Sequence, residues 1–407
     1  MIMDNGMKTI RHLISALLAA ALLCCALTAL AADADTAADL TKKCRFTTSV
    51  NQKKLSYMHN GKHNNHWDGE TDGEVTVTCP RQQKAQGIML TFFRDVVPVR
   101  IVDADGGVLA EYSDPYATEW IPFSRPSAEF TIRRANPDDP LRISDIHVMG
   151  AGDLPDWVQR WETLEGDADM LLVATHPDDE ILWFGGMIPT YAGQRQYKVI
   201  VLYMVGGSNG MRTAELLDGL WVMGVRLYPD IGSLPDVSGT SMESAYMNWG
   251  GEDTAPARIT EAIRRYRPRV VVTQDIHGEY GHYHHVVTAQ ATIDAVSKYA
   301  VDPEYDPASA EKWGVWQPQK LYLHLWREDQ TKFDWRQPLS AFGGRTGMQV
   351  AAQAYKKHVS QQSSRYRLHD KGRLDNSLFG LCFSTVGPDE RHDDLFEHVT
   401  DTAGHET

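Results

Sequence analysis

The stretch LLVATHPDDEILWFGG, Leu171 to Gly186, decides the fold. Its apolar start reads as a buried strand that stops at Thr175, and His176, Pro177, Asp178, Asp179 and Glu180 follow without a break. Apolar runs of the same kind recur as KVIVLYMV (198–205), RVVVTQD (269–275) and KLYLHLW (320–326). Segments of helical periodicity at 212–225, 257–267 and 285–300 separate them. Strands that alternate with helices and are apolar on both faces predict a Rossmann-like α/β unit, a mostly parallel sheet with helices on both faces.

Ligands of such a sheet collect outside the carboxyl ends of its strands. His176–Glu180 lies at one such end, and QDIHGEYGHYHH (274–285) lies at another. Imidazole and carboxylate together suit Zn2+ or another divalent cation, with a position left open for water at a catalytic site. His176 and Asp179 are three residues apart, as are His282 and His285. An isolated HPDD serves equally well as a helix-capping turn; a second histidine-rich loop at an equivalent strand end favours the metal.

Upstream, from about 40 to 150, short alternating runs such as GEVTVTC, GIMLTFF and SAEFTIRRA are punctuated by Gly, Pro and Asp, which predicts an all-β sandwich. Residues 151–168 are expected to connect it to the α/β unit at 169–388, and 389–407 to form an acidic, disordered tail. His63, His66 and Trp67 read as an exposed loop of the β-domain. Lys8 and Arg11, the apolar run from Leu13 and the small residues Ala29 and Ala31 read as a signal peptide over 1–31, hence a secreted or periplasmic protein. An uncleaved membrane anchor is the competing reading. No other stretch is apolar enough to span a membrane.

Export leaves three of five cysteines, of which Cys44 and Cys79 are expected to bridge and Cys382 to be a buried thiol. A net charge of −14 argues against a nucleic-acid partner.

ATHPDDE and EYGHYHH resemble the two signature motifs of the PIG-L (LmbE-like) family of metal-dependent N-acetylglucosaminyl deacetylases, over roughly residues 168–330. RTAELLDGLWVMGV (212–225) is similar to a third family segment. The resemblance implies His176, Asp179 and His285 as ligands of zinc, and Asp178 as general base toward an attacking water. It implies His282 as donor to the oxyanion or leaving amine, and Tyr280 as a further stabilising group. Arg212 and Asp236 correspond to substrate contacts. The family often has an acidic residue where this chain has His284, so Asp275 or Glu279 is a candidate replacement partner for His282, and His284 a competitor for the metal. Tyr246 and Trp249, in the long loop 232–254, are candidates to stack on sugar rings. The strand ISDIHVMG resembles the closing strand of galactose-binding-like domains, which implies glycan binding by the β-domain.

The expected function is that of an exported zinc hydrolase removing acetyl from an N-acetylated amino sugar in a glycan or glycoconjugate. A related amidase or esterase acting on another acylated substrate, and a catalytically idle glycan-binding module, are the alternatives.

Overall fold

The computed structural model describes residues 36–206, 210–237, 239–362 and 367–400; the expected signal peptide lies outside them. Nine strands fill the first part: β1 (Arg45–Thr47), β2 (Trp67–Asp68), β3 (Val75–Thr78), β4 (Ala85–Phe92), β5 (Val99–Asp103), β6 (Val108–Tyr112), β7 (Thr118–Ser127), β8 (Glu129–Arg134) and β9 (Arg142–Met149). They form two antiparallel sheets, β1-β3-β8-β5-β6 and β2-β9-β4-β7. Alternation decides the packing: Val75 and Val77 of β3 and Phe130 and Ile132 of β8 meet Ile88 and Leu90 of β4 and Ile146 and Val148 of β9 in one buried cluster.

The register of β1 on β3, Arg45 opposite Thr78, carries Cys44 toward Cys79. Both thiols are free, where a bridge was expected, and the Cys79 thiol donates to the Ser127 carbonyl.

The second part holds a seven-stranded mixed sheet. Its strands are β10 (Met170–Ala174), β11 (Val199–Val205), β12 (Asp230–Leu234), β13 (Val270–Thr273), β14 (Lys320–His324), β15 (Gln330–Lys332) and, after the small pair β16 (Pro338–Leu339) and β17 (Arg345–Thr346), β18 (Leu378–Ser384). The order is β12-β11-β10-β13-β14-β18-β15, parallel from β12 to β14 and antiparallel beyond. Every residue of β10, β11, β13 and β14 is buried. The side chains alternate between two cores: Met170, Leu172, Val201 and Val272 face one cluster, and Leu171, Val173, Leu202 and Val271 the other. This explains why these strands read as unbroken apolar runs.

Three expectations are corrected. The proposed tail is folded through Thr400: Leu395 and Phe396 are buried in the core, Asp394 accepts from Tyr191 and pairs with Arg195, and Asp389 is buried against Lys320 and Tyr322. Acidic composition misled there because the acids have internal partners. Cys382 is only partly buried, being near the end of β18. The loop with His63 and His66 is an interdomain contact: His63 Nε2 lies 3.4 Å from Asp218 Oδ2 on the helix Gly210–Val222, and His66 stacks on Phe93. Phe93 and Arg94 in turn abut Gly210, where any Cβ would collide with the Arg94 backbone nitrogen. The connector packs on the same helix, through Gln159 to Asp218 and Trp161 against Trp221.

Candidate active site

Strands β10 and β13 are adjacent and parallel, so the turns that leave their carboxyl ends stand side by side. From β10 come His176, Asp178 and Asp179, the last opening the one-turn helix Asp179–Leu182. From β13 come the turn Gly278–Gly281 and the helix Tyr283–Asp294, which begins with His284 and His285. Across the gap His176 Nδ1 lies 3.1 Å from His285 Nε2, and Asp179 Oδ2 lies 3.4 Å from each of these nitrogens. Ligand atoms about 2.0–2.1 Å from a tetrahedral zinc ion are roughly 3.3 Å apart, so the triangle has the edge lengths such an ion requires.

The donor set also fits a cation. Asp179 Oδ2 already accepts the His176 backbone N–H at 2.7 Å, and His285 Nδ1 is held by Glu279 Oε2 at 2.7 Å. With the His285 proton on Nδ1, Nε2 presents a lone pair to the other two acceptors. Such a convergence needs a positive charge. Burial alone would lower the His285 pKa; the Asp179 and Glu279 carboxylates outweigh it and raise it to about 9. The same histidines hold the Asp179 carboxyl well below the carboxylate range in spite of its burial.

Asp178, beside the triangle, behaves oppositely. Burial and then the charge of Asp179 push its carboxyl up to about 6, against the pull of Arg212. Arg212 lies 3.3 Å from Asp178 Oδ2 and 3.4 Å from Asp236 Oδ2, and donates to the Pro177 carbonyl at 2.8 Å. Asp236 Oδ1 is 3.7 Å from His176 Nε2. The two expected substrate contacts are thus paired with one another beside this triangle. His282 offers a nitrogen within 4.8 Å of those of His176 and His285. Burial and then the neighbouring histidines His285 and His176 push its pKa down to about 3, so it stands as a neutral ring. Tyr280 is 47% exposed, at the rim, with its ring 5.8 Å from that of His282.

These residues fall in a segment with known relatives. Residues 171–296 match the family described as PIG-L: GlcNAc-PI de-N-acetylase. Over that segment the chain is similar to PIG-L domains. A 1D-myo-inositol 2-acetamido-2-deoxy-alpha-D-glucopyranoside deacetylase 1 of Catenulispora acidiphila is 26% identical over 179 residues, 38% of this chain and 54% of the relative. The corresponding deacetylase of Kineococcus radiotolerans is 30% identical over 222 residues, 44% of this chain and 58% of the relative. The chain therefore spans little more than half the length of these curated relatives. Among solved structures, an N,N'-diacetylchitobiose deacetylase from Pyrococcus horikoshii is similar over 49% of this chain and 73% of its own, at 17% identity and a TM-score of 0.35.

Several groups around the PIG-L motifs take other positions than the sequence suggested. Glu279 is engaged with His285 and with His324 Nδ1, at 3.3 Å, and Asp275 with the His277 backbone. Both candidate partners for His282 thus serve elsewhere. Glu279 is buried at φ 55°, ψ −69°, a strained backbone that costs on the order of 1–3 kcal/mol and is held because its carboxylate bridges two buried histidines. His284 does not join the triangle: it stacks on Trp249, rings 4.4 Å apart, with both ring nitrogens buried and without a protein partner. Trp249 is thereby withdrawn from the surface, at 2% exposure, and is no free platform for a sugar.

Beyond the PIG-L match, the chain supplies a wall. His324 is buried on β14, Arg373 donates to the Glu279 carbonyl at 3.1 Å, Asn376 donates to the Leu182 carbonyl, and His369 stacks on Trp183. His358 Nε2 lies 2.9 Å from Glu180 Oε1 behind the triangle, both fully buried. Of these, Glu180 and Trp183 lie in the stretch LLVATHPDDEILWFGG, Trp183 four residues after Asp179; the others arrive from distant chain.

Proposed function

We propose that the protein is an exported, zinc-dependent deacetylase that removes acetyl from an N-acetylated amino sugar in a glycan or glycoconjugate. In this reading a signal peptide over 1–31 precedes a β-sandwich over 40–150, and a Rossmann-like unit over 169–388 carries the chemistry. The observation that carries it is the triangle of His176 Nδ1, Asp179 Oδ2 and His285 Nε2, with Asp178 beside it, inside a PIG-L domain. The relatives support the class of substrate, since their names specify an acetamido-glucopyranoside.

His176, Asp179 and His285 would hold the ion, which when bound supplies Lewis acidity toward water and the amide carbonyl. Asp178 takes the proton of the attacking water; its carboxyl, raised to about 6, is basic enough to accept it and acidic enough to return it to the leaving amine. Neutral His282 donates an N–H to the developing oxyanion, as a ring that needs no counter-charge. Tyr280, at the rim, is placed to add a second donor. Arg212 and Asp236, already paired, present a charged fork to substrate hydroxyls. The galactose-binding-like character suggested for the β-domain supports a role in holding the glycan.

The test is acetate release by the purified, zinc-loaded protein from a panel of N-acetylated glycans. Release from at least one acetamido sugar is expected. Activity confined to O-acyl esters or to non-sugar amides would overturn the substrate class, and no hydrolysis of any acylated compound would overturn the enzyme.

A further inference from the structure

We infer that Trp183 is a positioning residue for the metal-binding carboxylate, its indole N–H fixing Asp179 so that one oxygen faces the two histidines. The inference rests on the metal-site reading above and deepens it.

The local sequence dictates the contact. Asp179 opens a single helical turn and Trp183 closes it, four residues later, so the two side chains lie on one face with the indole leaning back toward the amino end. Trp183 Nε1 donates to Asp179 Oδ1 at 2.9 Å. Both groups are buried, Trp183 at 4% exposure and Asp179 at 2%, so each needs this bond to satisfy a polar atom away from water.

The bond divides the carboxylate. Oδ1 is turned to the indole; Oδ2 takes the His176 backbone N–H and is the oxygen nearest both imidazoles. The terminal torsion of an aspartate is soft and roughly two-fold, so an unpinned carboxylate would present either oxygen, or both. With both oxygens anchored by separate donors, that freedom is gone.

The indole is itself clamped by chain outside the PIG-L match. Its ring lies parallel to that of His369, at an interplanar angle of 8°, and 5.8 Å from that of His324. Tyr280 closes a third side at 6.1 Å. The carboxyl-terminal region thus reaches the metal ligand through one indole.

Trp183→Phe keeps a ring in the clamp and removes the donor. Metal-free protein is titrated with Zn2+ in competition with a chelator of known affinity, and its unfolding is followed separately in EDTA. Trp221→Phe is the control: its indole is also buried and bonded, to the Asp156 carbonyl at 2.6 Å, but on another helix. Loss of an outer hydrogen bond to a metal ligand typically lowers affinity about 10- to 100-fold, and that is the expected effect of Trp183→Phe, with Trp221→Phe at the native value. A Trp183→Phe affinity within twofold of native overturns the inference, as does an equal loss in both variants. Should Trp183→Phe fail to fold, the native chain with 15N-labelled indoles decides: an indole N–H resonance displaced by Zn2+ beyond all others supports the inference, and Zn2+ binding that displaces none overturns it. Failure of the native chain to bind Zn2+ in the same titration overturns the metal-site reading and this inference together; native binding with unchanged Trp183→Phe affinity overturns this inference alone.

Discussion

Neutralising Asp178 should make the protein more stable and nearly inactive at once. Its carboxyl is raised from the ordinary 3.8 to about 6 by burial and by Asp179, and it is only 6% exposed. For an acid whose folded pKa is raised, the ionised form is the disfavoured one: stability falls as pH climbs from about 4 to about 6, and the whole deficit is present at pH 7. A rise of this size corresponds to about 3 kcal/mol, so metal-free Asp178→Asn should gain on the order of 1–3 kcal/mol over native protein at pH 7, and little at pH 3. Loss of the base should lower kcat by about 10² to 10⁴ with zinc retained. Asp179→Asn, by contrast, replaces a carboxylate ligand by a weaker amide and should lose metal. Denaturant unfolding in EDTA at the two pH values, elemental analysis and acetate release together provide the assay. Metal loss in Asp178→Asn with retention in Asp179→Asn would show the roles to be swapped. Full activity of both would refute the hydrolase chemistry, and no gain in stability for Asp178→Asn would refute the electrostatic account.

Elemental analysis should find about one zinc-like ion per chain, and His176→Ala and His285→Ala should each lower occupancy sharply; full retention in both would remove the site. Asp389→Ala leaves the fully buried Lys320 ammonium without its carboxylate and should cost about 3–5 kcal/mol in denaturant unfolding, whereas a disordered tail would give no change. Burial would lower the His147 pKa, but the hydrogen bonds it donates to the Asp145 and Asp39 carboxylates outweigh that and raise it to about 9. Its contribution to stability should be complete below pH 6.5 and disappear as pH rises through 9, and His147→Asn should flatten that slope in thermal unfolding. Mass spectrometry of exported protein should find a mature start near Ala32 and a Cys44–Cys79 bridge formed from the adjacent thiols; a retained Met1 and two free thiols would contradict both.

The parallel strands were legible because burial on both faces leaves an unbroken apolar run: the run at 170–174 coincides with β10, and the run at 320–326 contains β14 and overshoots it by two residues. That His176, Asp179 and His285 come together was legible for the related reason that they sit at the ends of two such runs. Strand β18 was not, because Phe379, Gly380 and Leu381 are buried while Cys382 to Ser384 are partly open, a pattern without clear period. Nor was the fold of 389–400, where Asp389, Asp394 and Glu397 are each held by distant or backbone donors that composition does not reveal.

The same limit separates the ligands from what holds them. His176 and Asp179 can be read as candidate ligands from their three-residue spacing on one turn, but the groups that hold Asp179 and His285 are chosen by the fold. Glu279 is the instructive case. By proximity in sequence it belonged with His282, three residues away; the positive φ at Glu279 turns its carboxylate instead toward His285 and His324. Burial and then the neighbouring histidines hold the His282 pKa down to about 3, and in the proposed mechanism a neutral ring suits a hydrogen-bond donor to an oxyanion better than a proton reservoir. In the proposed mechanism proton traffic falls to Asp178, whose carboxyl near 6 is suited to both give and take a proton close to neutral pH. The backbone conformation at Glu279 thus commits its carboxylate to His285 and His324, at a position whose own side chain is expected to touch neither metal nor substrate.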